Sequence, residues 1–234
     1  MYNVDEFIQV ISIGLTVTGF LLNTNRLLKS IELCKECLFI LKERAGIKED
    51  KLAKSFSVRI YFTMWKVCRL ISDDTNAIKY AKSVVKLSSE LAVMYFDESK
   101  YPQSEILSKK ALLVSKEIGH RSGEAASYTN LGNVLQAVGE YEQAREHLEK
   151  SLAIQKEIGD RNGEAVAHGN LGNVYRSVGE YKKAREHLEK SVVIQKEIGD
   201  RNGEASDPLT QTFGLCIQQL ANMRRLENIS RNQL

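Results

Sequence analysis

The chain has 234 residues, 43% of them hydrophobic and 27% charged, and a formal net charge of +3. That is ample material for a core, and the charge is interleaved, Lys and Arg with Asp and Glu, so nucleic acid is not an expected partner. Four cysteines without a secretion signal point to a reducing, cytoplasmic setting, and only 2 prolines suit a nearly all-helical chain.

Phe7 to Leu22 is mostly apolar, but it has only 16 residues, contains Gln9, Ser12, Thr16 and Thr18, and follows Asp5 and Glu6 instead of a basic region. A membrane-spanning helix needs about 20 apolar residues, so a core helix is expected here. A membrane-anchored scaffold using residues 7–22 is the alternative that detergent dependence would favour. Asn23-Thr24 then reads as a helix cap, and Leu27, Leu28, Ile31, Cys34, Leu38 and Leu41 form a stripe ending at Gly46. A further helix from about Asp50 to Ile71 presents Leu52, Phe56, Ile60, Met64, Val67 and Ile71 at the same spacing. Residues 1–74 are read as divergent N-terminal helical hairpins. Cys34-Lys35-Glu36-Cys37 lies inside a helical stripe and has no second pair at zinc-ligand spacing, so buried reduced thiols are expected and no metal site.

Ser72-Asp73-Asp74-Thr75 is the next helix start, and no Gly or Pro follows until Pro102, itself at a helix start. Over 75–98 the helix from Thr75 and the helix through Leu91 either fuse into one long, kinked helix or meet at a short break near Ser88-Ser89, the fused form being favoured. Residues 82–120 form a degenerate repeat, with Leu91, Ala92 and Tyr95 in its first helix and Ser104 and Ala111 as the small residues of its second. The repeat becomes clear over 121–160 and 161–200, which match at 28 of 40 positions, and a third copy opens with Arg201-Asn202-Gly203-Glu204-Ala205. Within a copy, Ala125, Tyr128, Leu131, Val134, Leu135 and Val138 mark helix A. Gly139 breaks it, and Tyr141, Ala144, Leu148, Leu152 and Ile154 mark helix B, running to Ile158 before Gly159. Two such helices cannot bury their apolar faces alone and must stack on neighbours, which makes the fold class all-α, an α-solenoid of stacked antiparallel hairpins.

These residues resemble the tetratricopeptide repeats. The family's helix A pattern of Leu, Gly and an aromatic is matched by Leu171, Gly172 and Tyr175, and its helix B small and large apolar residues by Ala184 and Leu188. The preceding copy has Leu131, Gly132, Ala144 and Leu148, with Leu135 where the aromatic is expected. The usual period is 34 residues and here it is 40, as in the long-period subgroup of G-protein-signalling modulators and kinesin light chains. The resemblance covers Tyr101 to Ala205 and implies a right-handed superhelix, the repeat array being placed at 75–205. After Ala205 the pattern stops. Asp207-Pro208 with Leu209, Phe213, Cys216, Ile217 and Leu220 predicts a capping helix, so 206–234 is assigned as cap and tail.

No Gly-rich phosphate loop or catalytic constellation is present, and neither an enzyme, a cofactor nor a small-molecule substrate is expected. His147 and His187 recur with the repeat and are read as lying on the solvated part of helix B, with Glu146–Lys150 and Glu186–Lys190 as surface ion pairs. His168 replaces Tyr128 and is assigned to core packing or groove lining. Eight of the twelve differences between the copies fall within 122–139 and its counterpart, so the framework repeats while helix A varies. In a solenoid helix A lines the concave groove. Asn130, Asn133 and Gln136, with Asn170, Asn173 and Arg176, are the candidate peptide-binding residues, hydrogen bonding between helices of the stack being the rival account, above all of Asn133 and Asn173. An Asn side chain both donates and accepts, which suits the backbone of an extended peptide. Asn130 and Asn170 match the asparagine ladder of some tetratricopeptide superhelices. The family's carboxylate clamp is not expected, because its Lys position holds Thr129 and Gly169. The expected function is a non-enzymatic adaptor binding a protein or peptide. The alternative is a regulatory repeat sensor within a larger signalling or innate-immune protein.

Overall fold

The structure, a computed structural model, describes residues 4–23, 26–43 and 51–202. Among the described residues there are nine helices: α1 (Val4–Asn23), α2 (Leu27–Glu43), α3 (Lys51–Leu70), α4 (Asp74–Asp97), α5 (Tyr101–Glu117), α6 (Arg121–Ala137), α7 (Tyr141–Glu157), α8 (Arg161–Ser177) and α9 (Tyr181–Asn202). They form stacked helical hairpins, in two compact units divided after Gly123.

In the first unit, Ile11 of α1 meets Cys34, Cys37, Leu38 and Leu41 of α2 and Phe56, Ile60 and Met64 of α3. A second cluster joins Trp65 and Cys68 of α3 to Ala77, Ala81, Val84 and Val85 of α4 and Val114 of α5. The stripes read from spacing are buried in the main, but Leu28 and Leu52 are exposed, because periodicity fixes the angle of a side chain and not whether a neighbour covers it. Cys34, Cys37 and Cys68 are free thiols, and burial pushes Cys34 up to about 12, which makes it a poor nucleophile. Residues 7–22 lie in α1, and among the described residues no helix is long and apolar enough to cross a membrane.

Asp73 caps α4, its carboxylate accepting from the Asn76 N–H at 3.2 Å. The helix then runs unbroken through Ser88-Ser89 to Asp97, so one fused helix, capped by Glu98, is formed and not two. Pro102 stands in the first turn of α5, where its missing N–H costs nothing. Ser104 Oγ donates to the Ala92 carbonyl at 2.7 Å, tying α5 to α4 at the residues read as the degenerate repeat's small positions.

In the second unit, Leu148 is buried with Ala144, Leu171 and Val174, and Leu188 with Tyr175 and Ala184. A Cβ on Gly172 would stand 2.7 Å from Leu188 Cγ and 3.2 Å from the Ala184 carbonyl oxygen, so glycine permits the close approach of α8 and α9. Ser151 and Ser191 donate to the carbonyls of Ala125 and Ala165, at 3.0 and 2.8 Å, the same inter-helix tie in both copies. Val138, expected in the helix A stripe, lies past the end of α6 and is exposed.

Residues 155–165 and 195–205 have identical sequences. In the first, α7 stops at Glu157, Gly159 turns the chain with φ +71°, and Asp160 caps α8 through the Gly163 N–H at 2.9 Å. In the second, α9 continues through Gly199 to Asn202. The turn at Gly159 is held by the packing of the first turns of α8: a Cβ on Gly163 would overlap the Gln155 side chain, and Ala165 and Ala167 are buried. Replacing the cap, Asp160→Ala, should lower the stability of the second unit by about 0.5–2 kcal/mol in a thermal melt. The expected cap and helix at 206–234 lie outside the described residues, as do Thr24 and Gly46.

Candidate functional site

Asn130, Asn133 and Gln136 lie on α6, and Asn170, Asn173 and Arg176 at the matching places on α8. All six are half-buried, held at the edge of the packed face because Leu131, Gly132 and Val134, and Leu171, Gly172 and Val174, are drawn inward beside them. The Asn173 Oδ1 is shielded from water and accepts no hydrogen bond among the described residues. A buried acceptor left unpaired costs about 1–3 kcal/mol. Thr129, at the clamp position, is turned to Ser151 with 2.8 Å between the hydroxyls, and so joins α6 to α7.

The histidines are placed differently from expectation. His187 is half-buried, not solvated, and its Nδ1 is 3.0 Å from Nδ1 of His168, which is itself buried. One ring must donate and the other accept, so the pair is bonded only while at least one Nδ1 is unprotonated. Burial, with the neighbouring His187 and the cations Lys156, Lys190 and Arg161, pushes His168 down to about 4. His187 is lowered chiefly by burial, and its ring also packs on Tyr175 at 5.3 Å. The equivalent pair in the previous copy is Tyr128 with His147, rings 5.6 Å apart. The signal was available in the sequence: His187 follows Ala184 by three residues and precedes Leu188, both fully buried.

The ion pairs expected between Glu146 and Lys150 and between Glu186 and Lys190 are not formed. Lys150 lies over the Tyr128 ring instead, 6.0 Å from its centroid, and the carboxylates used at that spacing are Glu149 with Arg145 and Glu189 with Arg185.

A cavity of about 480 Å³ is lined by Lys156, Glu164, His168, Glu186, Glu189, Lys190, Val193 and Ile194, and by none of the six predicted binding residues. Its charges are largely matched within the protein, since Glu164 meets Arg161 at 2.5 Å and Glu189 meets Arg185 at 2.9 Å. Among the described residues no three His, Cys, Asp or Glu side chains converge as metal ligands.

A tetratricopeptide repeat family model matches residues 83–157 and again 123–197, the second match beginning 40 residues after the first. Among curated proteins there is no match. The solved structures it resembles include BtubC (BKLC) from P. vanneervenii, at 16% identity, covering 86% of this chain and 92% of that one with a TM-score of 0.51. A Rap protein complexed with competence and sporulation factor is similar at 13% identity, 95% and 73% coverage and a TM-score of 0.55. The nearly identical repeats of a Podosopora anserina putative kinesin light chain align at 17% identity, 81% and 96% coverage and a TM-score of 0.43. At these identities the likeness to the first two is one of fold. Repeats of this kind generally mediate protein–protein interactions and are typically non-catalytic. Over residues 83–197 the chain is a tetratricopeptide-repeat protein.

Proposed function

We propose that Asn130, Asn133 and Gln136 of α6, with Asn170, Asn173 and Arg176 of α8, hold an extended peptide or a partner helix, and that the protein is a non-enzymatic adaptor. The observation that carries this reading is the repeated row of half-buried amide side chains at matching places on α6 and α8. Each Asn offers both a donor and an acceptor to a peptide backbone. The concentration of copy-to-copy differences in α6 and α8 supports the same face, as does the related fold of the Rap protein, whose structure contains a bound competence and sporulation factor. A cytoplasmic location, kinship with the long-period subgroup, and a division into hairpins (1–74), array (75–205) and cap (206–234) complete the proposal.

The test is a pulldown from native lysate with the intact protein beside an Asn130→Ala, Asn170→Ala double variant of equal helicity by circular dichroism. A partner retained by the first and lost from the second is the expected result. Equal capture by both would remove the asparagine row from recognition.

A further inference from the structure

A second surface lies in the first unit, where α3 and α5 both meet α4 and approach each other at Phe62. Lys66 Nζ is 4.8 Å from the centroid of the Phe62 ring, and Lys110 Nζ, from α5, is 5.0 Å from it. Burial, and then the positive charges of Arg59 and Lys66, lower the pKa of the Lys110 ammonium. Two cations thus flank one aromatic ring, with the charge of Arg59 felt at Lys110, and none of the three forms an ion pair with a carboxylate among the described residues. The cations around them do: Lys51 with Glu98, Lys54 with Glu90, Arg69 with Glu117 and Lys109 with Glu105.

The repeat shows what is unusual here. Lys110 corresponds to Lys150 and Lys190, each preceded four residues earlier by a glutamate, Glu146 or Glu186. In α5 that place is Ile106, which is 64% exposed, and one turn beyond Lys110 stands Leu113, 60% exposed, where the later copies have Ala153 and Val193. Spacings of four and three put Ile106, Lys110 and Leu113 on one stripe of α5. Where the later copies carry a glutamate α5 presents apolar surface, so the Lys110 charge lies between two uncovered aliphatic side chains.

We propose that this face docks an acidic amphipathic segment of a partner protein, its carboxylates meeting Arg59, Lys66 and Lys110 and its apolar side chains covering Ile106, Leu113 and Phe62. A phosphate polyanion would satisfy the charge and leave the aliphatic shoulders in water, so peptide chemistry fits better.

The experiment uses the full chain and a labelled helical peptide with glutamates and leucines on one side. The controls are a scrambled peptide of the same composition, a single-stranded oligonucleotide and phosphatidylserine vesicles. The patterned peptide should bind at least about tenfold more tightly than the scrambled one, and more weakly as salt rises. Ile106→Glu, which restores the residue of the later copies, and Lys66→Glu with Lys110→Glu should each cost about tenfold or more. A peptide with lysines in place of its glutamates should bind the charge-reversed protein, a rescue that a folding defect cannot produce. The Asn130→Ala, Asn170→Ala variant should bind the acidic peptide unchanged, which separates this surface from the asparagine row. Equal affinity for patterned and scrambled peptides, unchanged binding by Ile106→Glu, or preference for oligonucleotide or vesicles would each overturn the proposal.

Discussion

Leu188→Ala should lower the stability of the second unit by about 2–5 kcal/mol, seen as a fall in the denaturation midpoint. Leu188 is fully buried against Tyr175 and Ala184, and its branch point sits in the space left by the missing side chain of Gly172. Gly172→Ala alone should also destabilise. Overpacking against Leu188 Cγ and the Ala184 carbonyl costs about 1–3 kcal/mol, more than the gain of about 1 kcal/mol from better helix propensity. Together the two changes should cost less than their sum, because the new methyl occupies part of the volume that leucine vacates. A coupling of about 0.5–3 kcal/mol is expected from the double-mutant cycle. Strict additivity would mean that α8 and α9 are not held by this contact.

The second large effect is on pH dependence. In the folded chain His168 titrates at about 4, against an ordinary value of 6.5. The unfolded chain therefore takes up this proton first, and folding stability is lost as pH falls from about 6.5 to about 4 and levels off below that. The loss should be on the order of 2–3 kcal/mol. Carboxylates also titrate in the lower part of this range, so the measurement is the difference between the natural chain and His168→Tyr. Tyrosine is what the preceding copy carries at position 128, where it packs against His147. The variant should show a flatter stability profile between pH 6.5 and 4 and no corresponding plateau. Parallel profiles for the two proteins would show that the buried imidazole pair is not what the acid limb reports.

Much of the fold was legible because the chain says it more than once. Gly139, Gly159 and Gly179 end their helices in left-handed conformations, and the Leu-Gly pairs at 131–132 and 171–172 sit where two helices touch. The absence of any Gly or Pro between Thr75 and Pro102 favoured one long helix but left open a break at Ser88-Ser89. What spacing could not reveal was cover. Leu28 and Leu52 fall at core-like intervals and face outward, since nothing in a helical period states whether another element lies opposite. His187 was misplaced for a related reason: charged neighbours at 185 and 186 suggest a wet surface, although one residue's rotation toward Leu188 brings the ring inside. The asparagine row could be placed on its two helices from sequence, but the unpaired oxygen of Asn173 depends on the packing around it. The cationic cluster was invisible because its members come from α3 and α5, more than forty positions apart along the chain at Lys66 and Lys110.

The identical stretches beginning at Gln155 and Gln195 take two conformations over their first eight letters. The first turns at Gly159 and caps α8 with Asp160, whereas Gln195 to Asn202 run as helix in α9, so these letters alone do not dictate a stop. Because 121–160 and 161–200 carry the same junction letters, a whole unit can be copied with its joining sequence unchanged, and the conformation of the join is then set by what packs against it.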